Sequence, residues 1–351
     1  MIEILDLDRI ALSEILASDF SERPFRAEQI MRWLYRRRAS GFECMTDISA
    51  ALRERLREHF SIYRPEISKI VESADGSRKY LLKLADGRFV ESVLIKQPTR
   101  WTLCVSSQVG CAIDCQFCRT GAMGFVRNLK VHEIVGQVLA VMNDVSPPDS
   151  DSFEVRNVVF MGMGEPMHNF ENVLGAIKII GDGAGFDFSG RRVTISTSGV
   201  VSGIEKLAAS NVKVNLAVSL NATTNEIRGR LMPINRKWPL EVLLRAIREF
   251  PLERRQRITV GYVLIKGLND TPGDLERLAQ LLDGLKVKVN LISFNAVPGL
   301  EYESSSRECM EHWQQTLMNK GINTTVRWSK GADIDAACGQ LATTAKEMQE
   351  R

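Results

Sequence analysis

The chain has 351 residues, 44% of them hydrophobic and 25% charged, with a formal net charge of +3. This composition excludes a disordered chain and fits one large globular domain with a smaller companion, while the longest apolar runs, such as VNLAVSL at 214–220, are too short to cross a bilayer. An acidic amino terminus, MIEILDLDRI, and an odd count of seven cysteines point to the cytoplasm, where clustered thiols serve metal or redox chemistry more often than structural disulfides.

Residues 1–62 read as a helical accessory domain. Ala27, Ile30, Met31 and Leu34 fall on one helical face, and Ile48, Leu52, Leu56 and Phe60 repeat every four residues behind a capping Thr46 or Asp47. The stretches RWLYRRR at 32–38 and LRERLREHF at 52–60 concentrate positive charge suited to phosphate; interspersed Glu54 and Glu58 fit a solvated helix face equally well. Residues 63–99 change to the β-rich runs ISKIVES, RKYLLKL and RFVESVLIK, broken by the hairpin-type dipeptides Asp75-Gly76 and Asp86-Gly87, and predict a short antiparallel β linker.

Residues 100–334 alternate strand and helix. Strands are expected at 101–106, 155–161, 191–197, 212–219, 257–265 and 287–294, with helical stretches such as VHEIVGQVLAVMND between them. Six βα units imply an α/β fold whose parallel sheet curls into a partial (βα)6 barrel, with the active site at the carboxyl ends of the strands. A seventh β-run at 323–329 precedes a C-terminal segment, 335–351.

Cys111, Cys115 and Cys118 follow the first parallel strand with the spacing C-x3-C-x2-C. Thiolates are soft ligands for zinc or for iron–sulfur clusters. A structural zinc site needs four ligands, usually as two separated pairs, and no second pair or nearby histidine is present; His59, His132, His168 and His312 form no metal-ligand spacing. Three ligands on a four-iron cube would leave one iron open. In MGMGEP, 161–166, glycines either let backbone approach a ligand or simply make a tight turn. Ser196, Ser219, Leu220, Asn221 and Asn295 stand at the ends of separate strands, where hydroxyls and amides suit a polar cofactor, although each alone is an ordinary strand-end residue. Composition makes Cys104 and Cys338 small buried hydrophobes. Glu91 shares a strand face with Phe89, Val93 and Ile95, either in an apolar setting that would favour its protonated form or on an edge facing water.

The cysteine spacing after the first strand of a βα partial barrel resembles the radical S-adenosylmethionine (SAM) enzymes. CVSSQVGCAIDCQFCRTG, GMGEP, TISTSG and DIDAACGQL together resemble the RlmN/Cfr family of radical SAM RNA adenine methyltransferases over nearly the whole chain. The resemblance implies a [4Fe–4S] cluster held by Cys111, Cys115 and Cys118, with its open iron chelating the amino and carboxylate groups of SAM. It implies SAM contacts at Gly164, Glu165, Ser196, Ser219, Leu220, Asn221 and Asn295; Asn221 departs from the pattern, since many relatives carry histidine there.

The implied reaction is methylation of C2 of adenine, at adenine 2503 of 23S rRNA and adenine 37 of certain tRNAs. That carbon is not nucleophilic, so simple displacement on SAM fails. The family's route has Cys338 take a methyl group from one SAM. A 5′-deoxyadenosyl radical from a second SAM then activates that methyl for addition to C2, Glu91 accepts the C2 proton, and Cys104 resolves the RNA adduct by forming a disulfide with Cys338. A flavodoxin-type electron donor and a monomeric enzyme are also implied, with Arg36, Arg37 and Arg38 gripping RNA. Two alternatives stand beside this reading: methylation of C8 of the same adenine, as in Cfr enzymes, and a non-catalytic RNA-binding protein with structural zinc. Cys44 and Cys309 match no motif.

Overall fold

A computed structural model describes residues 1–146, 155–297 and 299–342; the end of the expected C-terminal segment, from 343 on, lies outside them. The amino-terminal module comprises β1 (Ile2–Glu3), α1 (Arg9–Phe20), α2 (Phe25–Met31), a π-helical turn (Arg32–Arg36), α3 (Ala50–His59) and β2 (Phe60–Ser61), with β1 parallel to β2. The two apolar stripes expected there are buried. The cap of α3 is Ser49, whose hydroxyl accepts from Leu52 N–H at 3.3 Å, and not Thr46 or Asp47. Asp47 is turned the other way, toward Trp33 Nε1 at 2.5 Å.

Arg36 and Arg38 of RWLYRRR reach across the domain junction, whereas Arg32 and Arg37 stay on the exposed surface of the amino-terminal module. Arg36 donates to the carbonyls of Gly183 at 2.5 Å and Gly185 at 3.2 Å, and Arg37 stacks 4.2 Å from the Trp33 ring centroid. Arg38 is buried and donates to the carbonyls of Met142 at 2.5 Å and Ser146 at 2.9 Å. These last two carbonyls belong to a helix C-terminus, where the final turn leaves acceptors without intrahelical partners and a cation satisfies them.

The meander β3 (Glu66–Glu72), β4 (Arg78–Lys83) and β5 (Phe89–Gln97) is antiparallel as expected, but it is no separate linker. β5 pairs with β6 (Arg100–Cys104), so the meander is the flank of one ten-stranded sheet. After β6 come the hairpin strands β7 (Gln108–Gly110) and β8 (Phe125–Asn128), with the short α4 (Arg119–Ala122) between them, and then α5 (Val131–Val145). The repeating part follows: β9 (Val155–Phe160), α6 (Phe170–Gly181), β10 (Val193–Thr197), α7 (Val201–Ala209), β11 (Asn215–Ser219), α8 (Asn225–Leu231), α9 (Leu240–Glu249), β12 (Ile258–Leu264), α10 (Pro272–Leu282), β13 (Val287–Ser293), α11 (Arg307–Asn319) and β14 (Thr324–Arg327).

β6 and β9 to β14 are parallel neighbours in sequence order, the pattern that right-handed βα units produce. The seventh β-run is therefore a full member of the parallel sheet, paired through Val289 and Thr324. The sheet stays open between β14 and β3, a partial barrel. Among the described residues no helix is long and apolar enough to cross a membrane.

Candidate active site

A cavity of about 1150 Å³, counting its open mouth, lies at the carboxyl ends of the parallel strands. Cys111, Cys115 and Cys118 line one side of it. Their loop begins at Gly110, whose φ of +74° and whose missing Cβ, which would stand 1.8 Å from the Gly124 carbonyl oxygen, admit only glycine. Three backbone bonds then hold the loop: Cys111 N–H to Gly124 O at 2.9 Å, Gln116 N–H to Leu231 O at 2.9 Å, and Arg119 N–H to Gly339 O at 2.8 Å. The loop is thereby tied to the end of α8 and to the C-terminal segment.

Burial pushes the Cys111 thiol up to about 12 and raises Cys115 and Cys118 as well, each further opposed in ionising by neighbouring thiols. Three soft donors that ionise reluctantly by themselves fit a multivalent soft cation that would displace their protons. Among the described residues no three His, Cys, Asp or Glu side chains converge on a single ion.

The MGMGEP turn sits opposite. A Cβ on Gly162 would lie 2.8 Å from the Val105 carbonyl carbon, and one on Gly164, at φ +97°, 2.5 Å from Gln108 Cβ, so both glycines are demanded by contact with the chain after β6. Glu165 N–H donates to Gln108 Oε1 at 2.8 Å. The Glu165 carboxylate is buried on the cavity wall, accepting from Met167 N–H at 3.0 Å and from Ser198 N–H and Oγ at 2.8 and 2.6 Å. Ser198, absent from the expected set, fixes its orientation; nothing in its sequence context distinguishes it from Ser196.

Ser196, Ser219, Asn221 and Asn295 all line the cavity, and Leu220 does not. Leu220 is fully buried; its N–H donates to Gly261 O at 2.9 Å and its carbonyl accepts from Arg228 Nε at 3.1 Å. The Asn221 amide is partly committed internally, with Oδ1 accepting from Val263 N–H at 2.9 Å and Nδ2 directed at Met232 Sδ at 3.3 Å. Asn295 Nδ2 donates to the Cys338 carbonyl at 3.0 Å while its Oδ1 accepts from Ser329 Oγ, so this residue holds the Cys338 loop at the cavity rim.

Cys338 is exposed and lines the cavity. Cys104, at the end of β6, is buried; burial pushes its thiol up to about 12, with the nearby Cys338 thiol adding to the effect. Five of the seven cysteines thus gather in one place. Glu91 lies on β5 opposite Leu81 and is 1% exposed, so it is no edge residue facing water. Its surroundings are not simply apolar either: Lys79 Nζ stands 3.1 Å from Oε1, and Ala342 N–H donates to Oε2 at 2.9 Å. It opens into a small side cavity with Lys69, Lys79, Asp333 and Asp335.

Arg228 was not foreseen. It is fully buried on α8, with Nε bound to Leu220 O, Nη1 to Asn235 Oδ1 at 3.0 Å, and Nη2 to Ser198 O at 2.7 Å and Ser219 O at 3.3 Å. One guanidinium therefore spaces the loops after β10 and β11. Replacing it with leucine leaves several buried acceptors without donors and should lower unfolding stability by roughly 3 kcal/mol, read by denaturant titration; an unchanged midpoint would show that these bonds contribute nothing net.

The profile of the ribosomal RNA large subunit methyltransferase N-terminal domain matches residues 2–62, and that of the radical SAM superfamily matches residues 105–282. The chain is 50% identical to the dual-specificity RNA methyltransferase RlmN of Geobacter sulfurreducens, over 97% of this chain and 92% of that protein. It is 47% identical to the protein of the same description from Geotalea uraniireducens, over 97% of each. The crystal structure of a radical SAM methyltransferase from Sphaerobacter thermophilus superposes with a TM-score of 0.90 at 40% identity, covering 97% of this chain and 99% of the other.

Proposed function

The chain belongs to the RlmN family of radical SAM RNA methyltransferases, and on that premise we propose that it methylates C2 of adenine, at adenine 2503 of 23S rRNA and adenine 37 of certain tRNAs. Its cofactors are a [4Fe–4S] cluster and SAM. The observation that carries the reading is the pairing of an exposed thiol, Cys338, with a buried one, Cys104, beside the three-cysteine loop. An enzyme that alkylates a nucleophilic atom has no use for two such thiols; one acting on a non-nucleophilic ring carbon, C2 or C8, does.

Cys111, Cys115 and Cys118 hold the cluster, while Gly164, Glu165, Ser196, Ser219, Asn221 and Asn295 bound the space for SAM. A cluster held there would supply the one electron that cleaves SAM, and the resulting 5′-deoxyadenosyl group would take a hydrogen atom from a methyl group already on the protein. Cys338 receives that methyl beforehand, its sulfur attacking the methyl carbon of a first SAM and releasing S-adenosylhomocysteine. Asn295 and the Arg119 contact to Gly339 keep the Cys338 loop at the cavity while carbon joins carbon. Glu91 takes the C2 proton as the adduct radical gives up one electron, for which the cluster left oxidised by SAM cleavage would be the acceptor; this requires the Ala342 N–H to move off the carboxylate. Cys104 then attacks Cys338 Sγ; the bond from Sγ to the bridging carbon breaks, that carbon leaves as an enamine that takes up a proton to become the methyl group, and the disulfide left behind must be reopened by a two-electron reductant. A flavodoxin-type protein is the proposed electron donor, and the enzyme works as a monomer.

The test is methyl transfer from methyl-labelled SAM by the anaerobically reconstituted protein to two RNAs offered separately, a 23S rRNA transcript and a tRNA. Label in adenosine of both is expected; label in neither, from a protein that still cleaves SAM, would defeat the reading.

A further inference from the structure

Because Arg38 is buried and Arg36 donates to backbone across the domain junction, the 36–38 run offers an RNA little beyond Arg37, and a larger cationic surface is found elsewhere. A second hollow, about 1930 Å³ counting its open side, lies at the opposite end of the sheet, where the chain enters β10 to β14. Arg191, Lys213, Arg254, Arg255, Arg257 and Lys288 line it against a single carboxylate, Glu253, which is taken by Lys213 at 2.7 Å. All six cations are exposed. The wall is also preformed: Gln256 closes the 253–256 turn by accepting from Glu253 N–H at 3.0 Å and donating to Val214 O at 2.9 Å. Arg255 keeps a large side chain at φ +71°, where glycine or asparagine would cost less.

We propose that this groove is a second RNA-backbone site, which binds phosphates of the substrate RNA outside the reacting nucleotide. The proposal rests on the reading of the chain as an RNA methyltransferase. Four of the six cations are arginines, whose planar forks match phosphate oxygens. A cavity of about 1150 Å³ has room for a nucleotide and not for the folded RNA around it, so flanking stems must run over the outer surface. An acidic electron donor is the less suitable occupant. The seven residues of β12 alone place the groove roughly 20 Å from the cysteine loop, a long way for an electron.

The experiment compares the holoenzyme with an Arg191→Gln/Arg255→Gln/Lys288→Gln variant, all three side chains being exposed. Binding is measured by fluorescence anisotropy on two RNAs, a long fragment with the flanking stems and a short hairpin that ends just beyond the target adenine. The variant should bind the long RNA at least about tenfold more weakly, with the slope of log K against log salt shallower by about two to three, since each of the three phosphate contacts contributes a little under one. The hairpin should bind unchanged. Equal losses on both RNAs, or no loss on either, would overturn the proposal, as would a defect confined to turnover driven by flavodoxin with turnover on dithionite intact. Failure of the underlying reading looks different: the wild-type protein would then methylate neither RNA.

Discussion

Replacing Cys104 with alanine is expected to trap the enzyme on its RNA, while replacing Cys338 with alanine yields no adduct at all. The two thiols are neighbours in different surroundings, and the chemistry divides accordingly. Cys338 is exposed at the rim, held by Asn295 through its carbonyl and by Arg119 through Gly339, and is placed to receive a methyl group. Cys104 is buried, its thiol pushed up to about 12, so at neutral pH it is a poor nucleophile until a base or a rearrangement frees its proton. Without Cys104, methyl transfer to Cys338 and carbon–carbon bond formation still proceed and the final attack on Cys338 Sγ does not. Turnover should fall at least about a thousandfold, equivalent to roughly 4 kcal/mol. Protein joined to RNA should accumulate as a nuclease-sensitive band of retarded mobility on a denaturing gel, linked at Cys338 through one carbon to the adenine. Normal turnover by Cys104→Ala, or an adduct at another residue, would remove the two-thiol mechanism even with the cluster assignment intact.

An effect as large is expected from Cys111→Ala, Cys115→Ala or Cys118→Ala. The loop is fixed at Gly124, Leu231 and Gly339, so no neighbouring group can swing in as a substitute ligand, and among the described residues no other Cys or His lies on the cavity wall apart from Cys338. A cube held by two thiolates should be lost or degraded during purification. Iron content, the broad visible absorbance of the anaerobic protein and 5′-deoxyadenosine formation should all collapse together, while Arg228→Leu, which lowers stability, should retain iron. Near-normal 5′-deoxyadenosine production by any of the three variants would refute the ligand set.

Much of this architecture was legible from residue patterns, for reasons that also explain the misses. β-branched runs such as VRNVVFM and RITVGYVLI mark strands buried on both faces; the cysteine spacing i, i+4, i+7 would equally suit one helix face, and its position directly after the first parallel strand is what marks it as a loop. Tertiary partnerships left no such trace. Whether the meander stands apart or pairs with β6 depends on hydrogen bonds between segments, and periodicity is the same either way. Arg36 and Arg38 look like surface charge until the ends of neighbouring elements supply carbonyls for them. Leu220 and Asn295 both end strands, yet one turns into the core and the other holds the Cys338 loop. Arg228 was invisible because its role consists of accepting partners contributed by residues 198, 219, 220 and 235.

The most direct test of the central claim is mass spectrometry of nucleosides from 23S rRNA, isolated from cells with and without the gene and from deletion cells complemented with the Cys338→Ala variant. 2-Methyladenosine at adenine 2503 is expected in the first, and none in the other two. Finding 8-methyladenosine there instead, or 2-methyladenosine that persists with Cys338→Ala, would contradict it.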